Sequence, residues 1–291
     1  MTAFKLTRYA PTPSGFLHLG NIYSFILTYH LAKKHQARIL LRIDDMDRER
    51  VKTKFIQDIF DNLDFMELPY DLGPKNAADF KANYSQTKRL DLYVNAMENL
   101  KKNKKLFACD CSRKKIEKMN PKGFYTGFCR NRNLPYDNKE VAWRYQADMH
   151  QDIRFKDLHE GHLIGKLPGI LTDFIVRKKD GLPAYQLTSV VDDLHFGVDL
   201  IVRGKDLWGS TLAQVLLSDA LEPNTFSQNT FYHHPLIQDP NRQKLSKSAG
   251  ATSIQFLRKS GKKKEDVYSM IGEWLGIREK INSLDAFGKF V

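Results

Sequence analysis

Short apolar runs alternate with stretches in which apolar residues recur every three or four positions. Lys5–Tyr9 reads as a brief strand running into the loop Ala10–Gly20. Ile22, Phe25, Ile26 and Tyr29 then fall at helical spacing, predicting a helix from about Asn21 to His35. Arg38–Ile43 is a compact apolar run and reads as a second strand. Strand, glycine-containing loop, helix and strand make a βαβ unit, which implies a right-handed parallel crossover. The loop and the acidic run Asp44-Asp45-Met46-Asp47 then fall at the carboxyl edge of the sheet, where open α/β sheets bind ligands. Residues 52–104 keep helical spacing through Phe55, Ile59, Phe60 and Leu63. From 105 to 175 the pattern breaks into short strands and loops. It resumes at Ala184–Val191, continues through a strand at Asp199–Arg203 and a helix near Leu207–Leu221, and reaches a strand at Phe231–Pro235. The predicted architecture is α/β. Residues 1–104 form the first half of a doubly wound parallel sheet, and 105–184 an insertion. Residues 185–250 form the second half, and 251–291 a short helical tail.

Composition places this pattern in a water-exposed globular class. Of 291 residues, 42% are hydrophobic and 27% charged. No apolar run reaches the roughly 18 residues of a membrane span, and the start lacks the long apolar segment of a secretory signal. The expectation is a cytoplasmic, monomeric protein with no membrane partner. The net charge of +12 changes the picture more. Between Lys101 and Arg132, eleven lysines and arginines face only Asp110 and Glu117, and a second basic stretch runs from Arg258 to Lys264. Such clusters usually form solvated faces, but they also suit a polyanion bound through its phosphates.

Two motifs carry candidate chemistry. The first is Pro11-Thr-Pro-Ser-Gly-Phe-Leu-His18-Leu-Gly20-Asn21, at the start of the predicted helix. A helix amino terminus offers free N–H groups to a phosphate. Gly15 and Gly20 let the backbone approach it, and His18 can donate to a phosphate oxygen. The second is Lys244-Leu-Ser-Lys247-Ser248, whose lysines can meet the same phosphates. Either alone reads as an ordinary loop; together, in a βαβ context, they point to ATP, accompanied by Mg²⁺. All the cysteines lie in the insertion, as Cys109-Asp-Cys111 and Cys129. Cysteine is often a small core residue, and an odd count argues against a disulfide framework. Three thiolates at this spacing can instead hold one Zn²⁺, which needs a fourth ligand.

These motifs resemble the two signatures of class I aminoacyl-tRNA synthetases, whose catalytic domain is Rossmann-type. Arg8-Tyr-Ala-Pro-Thr-Pro-Ser-Gly15, Asp180-Gly-Leu-Pro-Ala-Tyr185-Gln-Leu-Thr-Ser189-Val-Val-Asp192-Asp193 and Ile201-Val-Arg203-Gly204 narrow the resemblance to the glutamyl type, over about residues 5–250. The resemblance implies ATP binding by Pro11, Ser14, Gly15, His18, Gly20, Asn21, Lys244 and Lys247. His18 and Lys247 would stabilise the charge that develops when a carboxylate attacks the α-phosphate. It implies amino-acid binding by Arg8, Ala10, Thr12, Asp44, Tyr185, Ser189 and Arg203. With 43 residues after Ser248, an anticodon-binding domain is not expected. That is similar to the truncated branch of the family, the glutamyl-Q tRNA(Asp) synthetases, which activate glutamate without tRNA and esterify the queuosine in the anticodon of tRNA(Asp). The branch pattern CxC…YxxxC implies Tyr125 as the fourth zinc ligand beside Cys109, Cys111 and Cys129. The basic insertion would then hold the anticodon stem-loop.

Two positions depart from the family pattern. Asp44 stands where glutamate is usual, one methylene shorter, and Ser189 stands where asparagine is common. Both touch amino-acid recognition. Asn21 ends the first signature where histidine is frequent, a change common among glutamyl-type members. Alternative readings are an adenylate-forming ligase with another acceptor (a tRNA 3′ end, a small molecule or a protein) and a catalytically silent RNA-binding paralogue.

Overall fold

The computed structural model describes residues 3–222, 224–237 and 253–291. In chain order its elements begin with β1 (Leu6–Tyr9), α1 (Leu19–His35), β2 (Arg38–Leu41), α2 (Thr53–Phe65) and the single turn α3 (Ala77–Asp79), which runs into a π-helical turn at Phe80–Tyr84. Then follow α4 (Leu90–Lys102), β3 (Leu106–Cys109), α5 (Arg113–Met119), β4 (Ala142–Tyr145), β5 (Ile153–Asp157), β6 (Gly161–Gly165) and β7 (Ile175–Arg177). The chain continues with α6 (Tyr185–Phe196), β8 (Leu200–Gly204), α7 (Trp208–Ser218), β9 (Thr230–His234), α8 (Ile254–Lys259), α9 (Lys264–Trp274) and α10 (Leu284–Phe287). The lysine motif Lys244–Ser248 lies outside the described residues.

The chain forms two compact units. The first comprises Met1–Lys88, Asp199–Lys205 and Tyr232–Val291. Here β1 and β2 pair in parallel, Leu6 opposite Arg38 and Tyr9 opposite Leu41, so the βαβ crossover is present. The Asp199 N–H donates to the Leu6 carbonyl at 3.0 Å, which lays the start of β8 along β1. The strand predicted to reach Ile43 ends at Leu41, yet its register continues as Arg42 N–H donates to Tyr9 and Asp44 N–H to Pro11. α1 buries Leu19, Ile22, Tyr23, Phe25, Ile26 and Leu27, so apolar residues face the core around much of its circumference. It ends at Gln36 in the left-handed conformation, with three basic residues in its last turn complementing the negative end of the helix dipole.

The second unit comprises Arg89–Val198 and Asp206–Phe231. β3, β4 and β7 form an antiparallel sheet. β5 and β6 make a hairpin, and β5 pairs in parallel with the first residues of β9, Lys156 opposite Thr230 and Asp157 opposite Phe231. The segment starting at Ala184 is the helix α6. It is bound to α4 by a buried knot: Asp192 accepts from Arg89 Nε at 2.9 Å, Arg89 Nη2 at 3.0 Å and the Tyr93 hydroxyl at 2.6 Å. A buried carboxylate is tolerable only when paired and hydrogen-bonded in this way. Among the described residues no helix is long and apolar enough to cross a membrane.

Candidate functional site

The predicted phosphate loop closes at the amino terminus of α1, and His18 is its N-cap. The His18 Nδ1 accepts from the Gly20 N–H at 3.1 Å, while Asn21 Oδ1 accepts from the His18 N–H at 3.1 Å. The pair forms a capping box with histidine and asparagine in place of the usual serine and glutamate. The helix therefore starts at Leu19, two residues before the predicted Asn21. The box gives Asn21 its own reason to occupy that position. It also sets the tautomer. A Nδ1 that accepts must be unprotonated, so the neutral ring carries its proton on Nε2. A Cβ on Gly20 would lie 3.1 Å from His18 Cε1 and Nδ1, so the glycine is what allows the ring to fold over the cap.

Other elements of the first unit hold this turn. The buried Asp58 of α2 accepts from the Leu17 N–H at 2.9 Å. The Leu17 carbonyl accepts from the Ile254 N–H at 2.9 Å, and Ser253 forms an antiparallel bridge with His18. The chain that follows the lysine motif thus lies against the His18 turn. Pro11 is buried, Ser14 N–H donates to the Thr12 carbonyl at 2.8 Å, Ala10 and Gly15 are half-buried in the same loop, and Gly20 is half-buried in the first turn of α1.

At the sheet edge Arg8 and Arg203 are both 4% exposed. Arg8 Nη1 donates to the Val202 carbonyl at 3.2 Å, the residue before Arg203. The Arg8 guanidinium thus sits against the strand that carries Arg203, and a guanidinium group suits a ligand carboxylate. Asp44 is gripped by Arg42, with Nε–Oδ1 at 2.8 Å and Nη2–Oδ2 at 3.0 Å. Its neighbour Asp45 is a structural carboxylate: it accepts from Gln86 N–H at 2.8 Å, Ser85 Oγ at 2.7 Å and Arg48 Nη1 at 2.7 Å. In the second unit, Tyr185 opens α6 and is 40% exposed, and Ser189 lies one turn later, buried.

The cysteines converge. Cys109 ends β3, opposite Ala142 of β4, and Cys111 and Cys129 follow in loops around α5. All three are buried, their sulfurs lie within 4.8 Å of one another, and Cys111 and Cys129 sulfurs are 3.6 Å apart. Tetrahedral zinc with Zn–S bonds near 2.3 Å requires S···S separations of about 3.8 Å, so the thiols fit one ion. Tyr125 is beside them: its hydroxyl accepts from Cys129 N–H at 2.8 Å and contacts the Cys109 thiol. Arg144, opposite Phe107 in the β3–β4 ladder, stacks with its Cζ 3.9 Å from the Tyr125 ring centroid. Burial pushes the Cys109 thiol up, but the Tyr125 hydrogen bond and the Arg144 charge outweigh it and hold the thiol below its ordinary value. Burial, reinforced by Cys129, pushes Cys111 up to about 12. Burial likewise raises Tyr125.

The family description "tRNA synthetases class I (E and Q), catalytic domain" matches residues 6–284. The chain belongs to this family. The chain is 31% identical over 297 residues to glutamate–tRNA ligase 2 of Syntrophus aciditrophicus, covering 96% of this chain and 59% of the relative. It is 34% identical over 253 residues to the glutamyl-Q tRNA(Asp) synthetase of Acinetobacter baylyi, covering 87% of this chain and 80% of the relative. The chain thus spans little more than half the length of the glutamate–tRNA ligase. A crystal structure of glutamate-tRNA synthetase from Elizabethkingia anophelis shares the fold, with a TM-score of 0.78 at 24% identity over 98% of this chain and 65% of that one.

Several residues that hold these loops lie outside the expected site residues. Asp58 and Asn62 are polar positions one turn apart on the buried face of α2, a local anomaly that marks Asp58 as a held group. The Ser85–Gln86 grip on Asp45 has no local signal. Nor has Asp173, which is buried in the left-handed conformation and takes Arg130 Nε at 2.7 Å and the Ala147 N–H at 3.1 Å.

Proposed function

We propose that this synthetase uses ATP, with Mg²⁺, to activate glutamate without RNA, and then passes the glutamyl group to the queuosine of tRNA(Asp). The observation that carries the finer reading is the Tyr125 hydroxyl set among three buried thiols, on a chain that covers four-fifths of the Acinetobacter glutamyl-Q tRNA(Asp) synthetase. The domain organisation proposed with it is a Rossmann-type catalytic core (1–104 and 185–250), a zinc-bearing RNA-binding insertion (105–184) and a helical tail (251–291).

In the first step a glutamate carboxylate oxygen attacks the α-phosphorus. The bond from that phosphorus to the β-bridging oxygen breaks, and pyrophosphate leaves. His18 donates from Nε2–H to the phosphate oxygens on which charge gathers, and its capped Nδ1 keeps that proton in place. Lys247 supplies the second charge. Neither residue exchanges a proton. The amino terminus of α1 adds its N–H groups and dipole. Arg8 and Arg203 receive substrate carboxylates. Asp44, held by Arg42, offers its carboxylate to the substrate ammonium. In the second step a hydroxyl of the queuosine cyclopentenediol attacks the adenylate carbonyl carbon and gives its proton to solvent; the bond from that carbon to the phosphate oxygen breaks, and AMP departs with the bonding electrons.

Cys109, Cys111, Cys129 and Tyr125 would hold one zinc ion. Four protein ligands leave no open position, so the ion supplies a cross-link in the insertion and no activated water. The test of the first step is ATP–pyrophosphate exchange with each amino acid in the absence of RNA. Glutamate-dependent exchange supports the reading; exchange that requires tRNA makes the chain a reduced glutamate–tRNA ligase instead.

A further inference from the structure

The insertion exposes one aromatic ring in a charged setting. Phe128 is 48% exposed, although both its sequence neighbours are fixed. Gly127 stands in the left-handed conformation at φ 77°, and Cys129 is buried with its N–H on the Tyr125 hydroxyl. The ring is therefore presented by a constrained turn. Two cations lie over it: Lys115 Nζ at 4.8 Å and Arg132 Cζ at 5.2 Å from the centroid. Both are also held by Asp110, Arg132 Nη1 at 2.8 Å and Lys115 Nζ at 3.7 Å. The surroundings are basic: α5 carries Arg113, Lys114, Lys115 and Lys118 against Glu117.

A half-exposed ring set among cations on a basic face suits a partner that is both a π-system and an anion. Every unpaired nucleotide is both, and every base has a face that stacks. A paired stem does not, because its base faces are covered by their neighbours. We infer that Phe128, flanked by Lys115 and Arg132, is a stacking platform for an unpaired nucleobase of the RNA acceptor, the two cations meeting the adjacent phosphates. The inference rests on the reading that this synthetase has an RNA acceptor.

The experiment measures the affinity of the full chain for a tRNA(Asp) anticodon stem-loop carrying 2-aminopurine in the loop, and for a blunt duplex of the same stem. Wild type is compared with Phe128→Ala, Phe128→Leu and Phe128→Trp. RNA-free ATP–pyrophosphate exchange and metal content check that each variant is folded. The expected result is stem-loop affinity lower by about tenfold in Phe128→Ala, on the scale of one lost base–aromatic stack. Phe128→Leu, which keeps apolar bulk without a π-face, should lose as much, and Phe128→Trp should retain binding. Duplex affinity should not change. Quenching of 2-aminopurine by wild type should vanish in Phe128→Ala and Phe128→Leu. Retained stem-loop binding and quenching in Phe128→Leu would overturn the platform, as would equal losses on stem-loop and duplex. Wild type that binds neither RNA yet exchanges pyrophosphate would overturn the RNA acceptor along with the platform. Wild type that glutamylates tRNA while Phe128→Ala does so with unchanged KM and kcat would overturn the platform alone.

Discussion

The turn that carries His18 and the loop that carries Cys129 are both short and interrupted by glycine, yet different forces hold them. The His18 turn is a by-product of regular structure. β1 delivers the chain, α1 begins with its capping box, and Asp58 and Ile254 tie down Leu17 from either side. Its geometry needs no ligand. The Cys129 loop has little regular structure of its own. It packs through Phe107, Tyr125 and the thiols, and it is tethered by Arg130 to Asp173 and by Arg132 to Asp110. Three buried thiols cannot satisfy one another as donors and acceptors the way a backbone ladder can. The first turn is held by backbone and side-chain bonds of its own, whereas the second would be completed by the zinc proposed for it.

The largest effect should therefore come from breaking the second region alone. Structural zinc contributes on the order of 10–16 kcal/mol of binding free energy in small metal-dependent folds. Protein purified without chelator should carry one zinc per chain. Stripping it, or substituting Cys129→Ser, should raise amide hydrogen exchange across residues 106–134 by roughly a hundredfold or more, with α1 amides unchanged. Hydrogen-exchange mass spectrometry with metal analysis reads both. A metal-free preparation whose loop stays protected would show that the thiols are ordinary core.

The next effect separates the two duties of His18. His18→Ala should lower adenylate formation by about 10²–10³, the usual cost of one lost charge-stabilising donor. It should also destabilise the protein by about 1 kcal/mol through loss of the cap. His18→Asn restores a capping oxygen but has no Nε2–H. Its urea midpoint should return to that of wild type while its exchange rate stays low. A variant that recovers both would assign His18 to the cap alone.

How far these sites are legible in the sequence follows the same division. The βαβ unit could be read because periodicity is local: Ile22, Phe25 and Ile26 announce α1, and Arg38–Leu41 announces β2. α1 starts about two residues before the position its periodicity predicts because histidine is an uncommon cap, and no serine or aspartate marks it. The cysteine spacing disclosed a cluster, but Arg144 over Tyr125 depends on which residue of β4 faces Phe107, a register set by strand pairing 37 residues away. Asp192 stood in plain sight within a family motif, and its structural duty appeared only with Arg89 and Tyr93, about a hundred residues distant.

A smaller effect sharpens the first region. Burial raises the Asp58 carboxyl above its ordinary 3.8, against the pull of the Leu17 hydrogen bond. The folded state therefore favours the protonated form. Stability from this group is fully present below the unfolded value and is lost as pH rises through the folded value. Asp58→Asn keeps an oxygen for Leu17 and removes the titration. Its urea midpoint relative to wild type should climb as pH rises from about 3.8 through the carboxylate range. Asp58→Ala should lose stability by about 1–3 kcal/mol at every pH, through the unpartnered Leu17 N–H. A midpoint difference between Asp58→Asn and wild type that stays flat with pH would mean that Asp58 titrates alike in the folded and unfolded states.

The central claim is that glutamate, once activated, goes to the queuosine of tRNA(Asp). Labelled glutamate, ATP and the synthetase are incubated with tRNA(Asp) that carries or lacks queuosine, and the labelled nucleoside is then located after digestion. The account predicts label only with the modified tRNA, on the queuosine, and unaffected by removal of the 3′-terminal adenosine. Equal labelling of both tRNAs, or loss of label with that adenosine, would contradict it.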